Sequence, residues 1–300
     1  MLEDKITVIV TVYNEKDNIA DLVKSLHNQS LEPYEIIITD AHSTDGTWEI
    51  LTKLKDDYPK LKVVSVKGNR SVGRNTAISL AKTEYIAVTD AGCLADYNWL
   101  EHLFSTLSKG ADVASGFYEP LSDSKWEKTI AKMTIPTLDT VNPDTFLPSS
   151  RSVAFRKSAW QKVEGYPEEF SHNEDTPFDL LLKEAGFEFV FVPQAIVYWR
   201  PRQDLKAVFK QFFYYALGDG EARIQIKDYL FIYLRYIPLF FYPYGTMISL
   251  LFWCQRIFKD LKKTRSLLFI PLRLTIDFAD MIGFLAGLKE AWQRCRQRKS

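Results

Sequence analysis

Cysteine is scarce in this sequence: Cys93, Cys254 and Cys295 are the only three in 300 residues. Cysteines so few and so widely spaced exclude a disulfide framework or a zinc site, and they suit a reducing compartment. Net charge is lacking as well. Lys+Arg and Asp+Glu both number 38, so no overall field favours nucleic acid as a partner. Basic residues gather only locally, at 259–265 and 294–299. The start lacks the basic segment and apolar core of a secretory leader, and Glu3 and Asp4 stand there instead. The N-terminal half is therefore expected on the cytosolic side. No Gly-x-Gly-x-x-Gly follows the first apolar run, which removes a dinucleotide-dependent oxidoreductase. Aromatic residues, by contrast, abound: 20 Phe, 15 Tyr and 7 Trp crowd towards the last third. A chain of this length builds one large or two modest domains with ample core.

What is present first is a repeat of buried strand and amphipathic helix. Residues 6–12 form a β-branched run, as expected of a strand covered on both faces, and it ends in Tyr13, Asn14 and Glu15. Helical spacing follows over 17–28. A second run, 35–39, ends at Asp40, and 47–54 is helical again. A third strand over 61–66 is closed by Lys67 and Arg70, with a helix over 73–81; a fourth, 85–89, ends at Asp90. Units recurring every 25–30 residues or so imply an α/β fold with a doubly wound, mostly parallel sheet flanked by helices. In such a sheet the C-terminal strand ends share one edge, so Tyr13, Glu15, Asp40, Arg70 and Asp90 converge on one crevice. Ala91 and Gly92 are too small to obstruct Asp90.

Beyond Asp90, Asp96 opens a helical pattern as N-cap or as a second metal ligand. Residues 111–116 read as a strand, and 118–150, with four prolines, as an irregular binding loop or lid. A strand over 153–155 and a short helix over 158–164 lead to FSHNEDTPFDLLLKEAG (170–186). There Thr176 suits an N-cap, and Pro177 the first helical position. Glu174 and Asp175 then lie just outside a helix N-terminus, which favours ionised carboxylates. Strands are expected at 187–192 and 195–199, followed by Arg200 and Arg202.

The organisation expected is a domain over 1–204 and a C-terminal helical, membrane-associated region over 205–300. Residues 229–258 are almost wholly apolar, interrupted by Arg235, Pro238, Pro243 and Gly245. A single crossing there would put Lys259, Lys262, Lys263 and Arg265 outside, against the positive-inside tendency. A re-entrant hairpin is therefore preferred to spanning helices or a buried helical domain. In 266–288, Arg273, Asp277 and Asp280 share one helical face, the profile of a helix lying in the membrane interface.

Five stretches in order carry a family resemblance: VIVTVYNE (8–15), EIIITDAHSTDGT (35–47), GNRSVGRNTAI (68–78), Asp90, and Asn173-Glu174-Asp175. With them the chain resembles a family 2 glycosyltransferase over roughly residues 5–202. The resemblance implies a GT-A-like nucleotide-sugar-binding domain and a membrane-associated C-terminus. Two departures stand out. Position 41 is alanine where many members carry a second acidic residue, and the family's Asp-x-Asp appears as Asp90-Ala91-Gly92, with one carboxylate.

Transfer of a sugar requires that a leaving diphosphate be stabilised and an acceptor hydroxyl deprotonated. Asp90, with Mg2+ or Mn2+ and the diphosphate itself, is assigned the first task. The resemblance assigns general base to Asp175, with Glu174 orienting it or binding acceptor. Asp40 and Tyr13 suit the base and ribose of a UDP- or GDP-sugar, with Glu15, Arg74 and Asn75 close to the nucleotide. Arg200 and Arg202 grip either phosphates or lipid headgroups. His42 and His172 are expected to face solvent, and Cys93 to pack. The expected activity is inverting transfer to a hydroxyl of a lipid-linked or polysaccharide acceptor at the cytosolic face of the cytoplasmic membrane. Its rivals are a polyprenyl-phosphate sugar synthase and a non-catalytic, membrane-docked nucleotide-sugar scaffold.

Overall fold

The computed structural model describes residues 4–170, 172–241 and 243–297. Glu3, Ser171, position 242 of the apolar stretch and positions 298–299 of the basic run lie outside them. The chain divides into two units, one of Met1–Leu121 with Thr137–Arg200, the other of Ser122–Pro136 with Pro201–Ser300. The boundary thus falls at 200/201 beside the expected 204/205, and segment 122–136 groups with the C-terminal part.

The first unit opens with β1 (Ile6–Val12), α1 (Ile19–His27), β2 (Glu35–Asp40), α2 (Thr47–Asp57), β3 (Leu61–Ser65), α3 (Arg70–Leu80) and β4 (Tyr85–Asp90). It continues with β5 (Cys93–Ala95), α4 (Trp99–Ser108) and β6 (Val113–Pro120). Helix α5 (Lys125–Thr134) belongs to the other unit. Then come β7 (Val153–Arg156), α6 (Lys157–Lys162), α7 (Asp175–Glu184) and β8 (Phe189–Trp199). Eight strands form one sheet in the order β3-β2-β1-β4-β7-β6-β8-β5. Neighbours from β3 to β4 are parallel, as are β6 and β8; β7 runs antiparallel to β4 and β6, and β5 to β8. Helices cross between the parallel strands and cover both faces, which is why β1 and β2 are buried along nearly their whole length. The architecture is α/β, as expected.

Local details differ from the sequence reading. Residues 118–150 are not wholly irregular, since a Ser124–Glu127 capping box starts α5. The two strands expected at 187–199 are one, β8, whose register slips between Ser115 and Phe117 of β6. Pro193, which cannot donate to a ladder, falls at that irregularity. Asp96 does not begin α4, whose N-cap residue is Asn98. Its Oδ1 accepts from Asn98 N at 3.1 Å and its Oδ2 from the Tyr198 hydroxyl at 3.3 Å, in the turn before Trp99. Helix α7 starts two residues earlier than a Thr176 cap would start it: Glu174 is the N-cap residue and Asp175 the first helical one. Pro177 still lies in the first turn, where no intrahelical N–H bond is lost.

The second unit contains α5, α8 (Leu205–Ala222), α9 (Ile226–Tyr236), a 3-10 turn (Ile237–Phe240), α10 (Tyr244–Thr264) and α11 (Phe269–Gln297). Helices α8 and α11 touch through glycine. A methyl on Gly283 would lie 2.3 Å from the Phe213 carbonyl oxygen, and one on Gly287 2.0 Å from that of Leu217. The polar face of α11 is turned opposite to expectation. Arg273 and Asp277 are buried, whereas Leu274, Phe278, Ile282 and Leu285 are exposed. Arg273 Nε donates to Asp260 Oδ2 at 2.8 Å, Arg235 pairs with Asp277, and the Tyr236 hydroxyl donates to Asp277 at 2.9 Å. Periodicity locates such a stripe on the helix, but the partners on α9 and α10 decide which way it faces. Among the described residues, no helix is long and apolar enough to cross a membrane.

Candidate active site

The rim of the sheet is set by register. Asp40 lies opposite Val12, and Asp90 opposite Thr11, so the ends of β2, β1 and β4 form a row. The loops after β1 and β2 are laced together: Asn14 N donates to Ser43 Oγ at 2.9 Å, Thr44 N to Asn14 Oδ1 at 2.8 Å, and Glu15 N to Thr47 Oγ1 at 2.9 Å. Asp40 is buried behind them. Its Oδ2 accepts from Ser43 N at 2.9 Å, while Oδ1 is buried with no hydrogen-bond partner among the described residues. A buried acceptor in that condition is costly unless a ligand N–H reaches it. Tyr13, 59% exposed, stands at the mouth of the same loops.

Helix α3 carries the piece that joins the rim to the rest. Asn69 caps it by accepting from Val72 N at 3.1 Å. Gly73 lets it approach the sheet: a Cβ there would stand 2.8 Å from Thr11 Cγ2 and 2.9 Å from Thr39 Oγ1. Arg74, next in the chain, is 2% exposed. Its Nη2 donates to Asp90 Oδ1 at 3.0 Å, its Nη1 pairs with Glu174 Oε1, and the guanidinium lies 5.2 Å from the Tyr166 ring centroid. Asp175, beside Glu174, accepts from Ser150 N at 3.2 Å and from Thr176 N at 3.1 Å. Four residues from three separate motifs thus meet in one cluster.

Electrostatics divide the carboxylates into two kinds. Burial would raise Asp90, but the guanidinium groups of Arg74, Arg151 and Arg70 outweigh it and hold the group below the usual carboxylate range. Asp175 is pushed up, first by burial and then by the Glu174 charge, against the pull of Arg74 and the Ser150 N–H. One acid kept ionised beside one made more basic is the pairing that anion stabilisation and proton abstraction require. Asp179, one turn further along α7, is raised well above the ordinary value by burial and by Asp175. The fold therefore disfavours its ionised form, and Asp179→Asn should fold at least as stably as the parent in a denaturant melt at pH 7; a loss of more than about 2 kcal/mol would show that the ionised form is needed. Arg74 has its charge held on: burial opposes it, but Glu174 and Asp90 more than compensate.

Other candidates stand apart from this cluster. Asn75 is engaged with the segment around Gly165: its Nδ2 donates to Tyr166 O at 2.8 Å and to Glu168 Oε1 at 2.9 Å, and its Oδ1 accepts from Trp160 Nε1 at 3.0 Å. Glu15 Oε2 accepts from Asn18 Nδ2 at 2.8 Å, at the start of α1. Arg200 is exposed after β8, and Arg202, also exposed, belongs to the other unit, where its carbonyl accepts from Trp126 Nε1 at 3.1 Å. His42 is exposed, and Cys93 is buried with its thiol pushed up to about 12 by burial, which suits packing. The sequence reading missed Tyr166 and Asp179 in the cluster. Asp179 had a signal, since it repeats Asp175 at the four-residue helical spacing; Tyr166 had none.

The profile of Glycosyl transferase family 2 matches residues 7–165, and that of Glycosyl transferase family group 2 matches residues 91–284. The chain belongs to glycosyl transferase family 2. This glycosyltransferase is 28% identical over 262 residues to the succinoglycan biosynthesis protein ExoA of Rhizobium meliloti (strain 1021), covering 82% of this chain and 78% of the relative. It is 39% identical over 90 residues to the UDP-Glc:alpha-D-GlcNAc-diphosphoundecaprenol beta-1,3-glucosyltransferase WfaP of Escherichia coli, covering only 29% of this chain and 34% of that relative. Its fold is shared with the mannosyltransferase PcManGT from Pyrobaculum calidifontis, solved in complex with GDP-Man and Mn2+. The TM-score is 0.64 at 16% identity, over 97% of this chain and 90% of that one. The GT-A-like assignment of the sheet and helices holds. The enzyme is a nucleotide-sugar-dependent glycosyltransferase.

Proposed function

We propose that this family 2 enzyme transfers a sugar, with inversion, from a nucleoside-diphosphate donor to a hydroxyl of a lipid-linked or glycan acceptor at the cytosolic face of a membrane. The observation that carries the reading is the Arg74 bridge, which ties ionised Asp90 to the Glu174-Asp175 pair. In the reaction the acceptor oxygen bonds to the anomeric carbon as its proton passes to Asp175. The bond from that carbon to the donor phosphate oxygen breaks, and the nucleoside diphosphate departs. Asp40 offers its vacant buried oxygen to a ring N–H of uracil or guanine, with Tyr13 beside the ribose.

Asp90, kept ionised and about a third exposed at the strand tip, would hold a Mg2+ or Mn2+ ion. Such an ion, when bound, would offset charge on the leaving diphosphate. The described residues contain no cluster of three His, Cys, Asp or Glu able to hold a metal without the substrate. A thermal-shift screen of UDP, GDP and their sugars, with and without Mn2+, tests the reading. At least one diphosphate should raise Tm, and more so with the ion; a flat response to all of them removes the donor assignment.

Support for the membrane comes from the second unit. Phe240, Phe241, Tyr244, Met247 and Leu251 are more than half exposed around the α9–α10 hairpin. The ion pairs of Arg235, Arg273, Asp260 and Asp277 are inside, and α8 and α11 associate through small residues, as helices do in lipid. Lys259, Lys262 and Lys263 then suit anionic headgroups. The full chain should float with vesicles containing anionic lipid; a chain that stays at the bottom of the gradient contradicts the membrane assignment.

A further inference from the structure

The loops after β1 and β2 leave one buried carboxylate oxygen vacant, and that single vacancy discriminates between bases. Uracil presents one ring N–H between two carbonyl oxygens. Guanine presents a ring N–H beside an amino group, so its edge asks for two acceptors side by side. We propose that the base of the donor is uracil rather than guanine, because Asp40 has one oxygen to offer and the neighbouring carboxylates are engaged elsewhere. The inference rests on the glycosyl-transfer reading above and narrows its donor to a uridine nucleotide.

Asp40 is 1% exposed at the end of β2. Its Oδ2 is committed to Ser43 N at 2.9 Å, and Oδ1 is the buried oxygen without a donor among the described residues. A carboxylate held in this way can take one N–H on its second oxygen, but it cannot clamp a pair of donors with both. The other carboxylates of the two loops, 13–15 and 41–46, are turned to the protein's own donors. Asp45 Oδ1 accepts from Thr47 N at 3.0 Å and from Thr47 Oγ1 at 2.6 Å, and its Oδ2 from Lys16 N at 3.1 Å. Glu15 Oε2 accepts from Asn18 Nδ2 at 2.8 Å. The carbonyls at the strand ends are engaged too: Val12 O accepts from Ala41 N and Asp40 O from Val66 N, each at 2.9 Å. Position 41, the next residue along the chain, is alanine and adds no acceptor side chain. Guanine would satisfy its ring N–H on Oδ1 and bring its amino group to a place without a second carboxylate, and a buried donor left unpaired is costly. The donor side of the site fits uracil as well. Ser43 Oγ accepts from Asn14 N at 2.9 Å and keeps its own proton to give, on the same residue whose N–H holds Asp40. One vacant acceptor with a hydroxyl donor beside it answers an N–H with a carbonyl beside it. The covering loops are surface segments, with Tyr13 and His42 exposed, and a base that parts them meets Oδ1.

Calorimetric titration of the full chain, in Mn2+, with UDP, GDP and N3-methyl-UDP tests the proposal. UDP should bind at least about tenfold more tightly than GDP. Methylation at N3 should weaken UDP by about ten- to a hundredfold, the range of one hydrogen bond to a charged group. If the chain binds neither UDP nor GDP, the transfer reading fails and takes the inference with it. GDP binding as tightly as UDP, or more tightly, leaves that reading standing and overturns the inference alone. N3-methyl-UDP within about twofold of UDP overturns it too, since Asp40 would then not touch the base. A variant adds a reversal of preference. In Asp40→Asn the amide oxygen has to face Ser43 N to keep that bond, which turns the NH2 group towards the base. Uracil N3–H then meets a donor, whereas N3 of cytosine accepts from it. The CDP-to-UDP affinity ratio should rise at least about tenfold over the parent's; a ratio equal to the parent's, which is what a purely structural Asp40 would give, overturns the proposal. Where Asp40→Asn does not fold, the three ligands on the parent chain decide.

Discussion

Asp175→Asn should lower turnover by about a hundredfold to ten-thousandfold, the usual contribution of a positioned general base, while nucleotide affinity stays within about twofold. The carboxylate is the proton acceptor in the account, and asparagine keeps its shape without its basicity. Its hydrogen bonds from Ser150 N and Thr176 N can be partly retained by the amide oxygen. The raised pKa adds two checks. Because burial and Glu174 push Asp175 up, the acid limb of the rate profile should lie above the ordinary carboxylate range and vanish in the variant. For stability the sign is the reverse of that for a salt-bridged acid. Between its unfolded and folded pKa values the native state binds more protons, so this group's contribution falls as pH rises through that window. At neutral pH Asp175→Asn should accordingly fold at least as stably as the parent. A variant that retains full turnover would point to an acceptor needing no base, such as a polyprenyl phosphate.

Arg74→Ala should cost about 3–5 kcal/mol of stability, the usual penalty for leaving buried charges without their partner. For a domain of this size that is a fall of roughly 6–20 °C in Tm. The residue is 2% exposed and answers two carboxylates from different parts of the chain, so water cannot take its place. Lysine should not restore the parent, since one ammonium on a flexible stem cannot span Asp90 and Glu174 as a guanidinium does. Adding Glu174→Gln to Arg74→Ala should recover part of the loss, because one stranded charge is removed. Thermal or denaturant melts of the three variants decide it; an Arg74→Ala chain that melts with the parent would mean that the bridge contributes nothing.

The strand-helix units were legible because β1, β2 and β4 are buried on both faces, which forces near-continuous β-branched and aliphatic runs. Their acidic tips were legible for a related reason: a polar residue that ends such a run has few places to go but the rim. Arg74 was visible as a helix residue, yet its pairing with Glu174 was not, since the two are 100 positions apart and meet only through the fold. The place of β7 was hidden more deeply: it inserts antiparallel beside β4, and no local pattern states the partner of a short strand. The capping box at Ser124 was in the sequence, but the prolines downstream obscured the helix it begins. The inward polar stripe of α11 depends on Arg235 and Asp260, which lie on other helices.

The most direct test is to titrate the parent chain and Asp90→Asn with UDP and GDP, each with and without Mn2+. The account predicts a diphosphate affinity that rises with Mn2+ in the parent, and a rise that is lost in Asp90→Asn. The same Mn2+-dependent rise in both proteins would contradict it, because the aspartate at the end of β4 would then have no part in holding the leaving group.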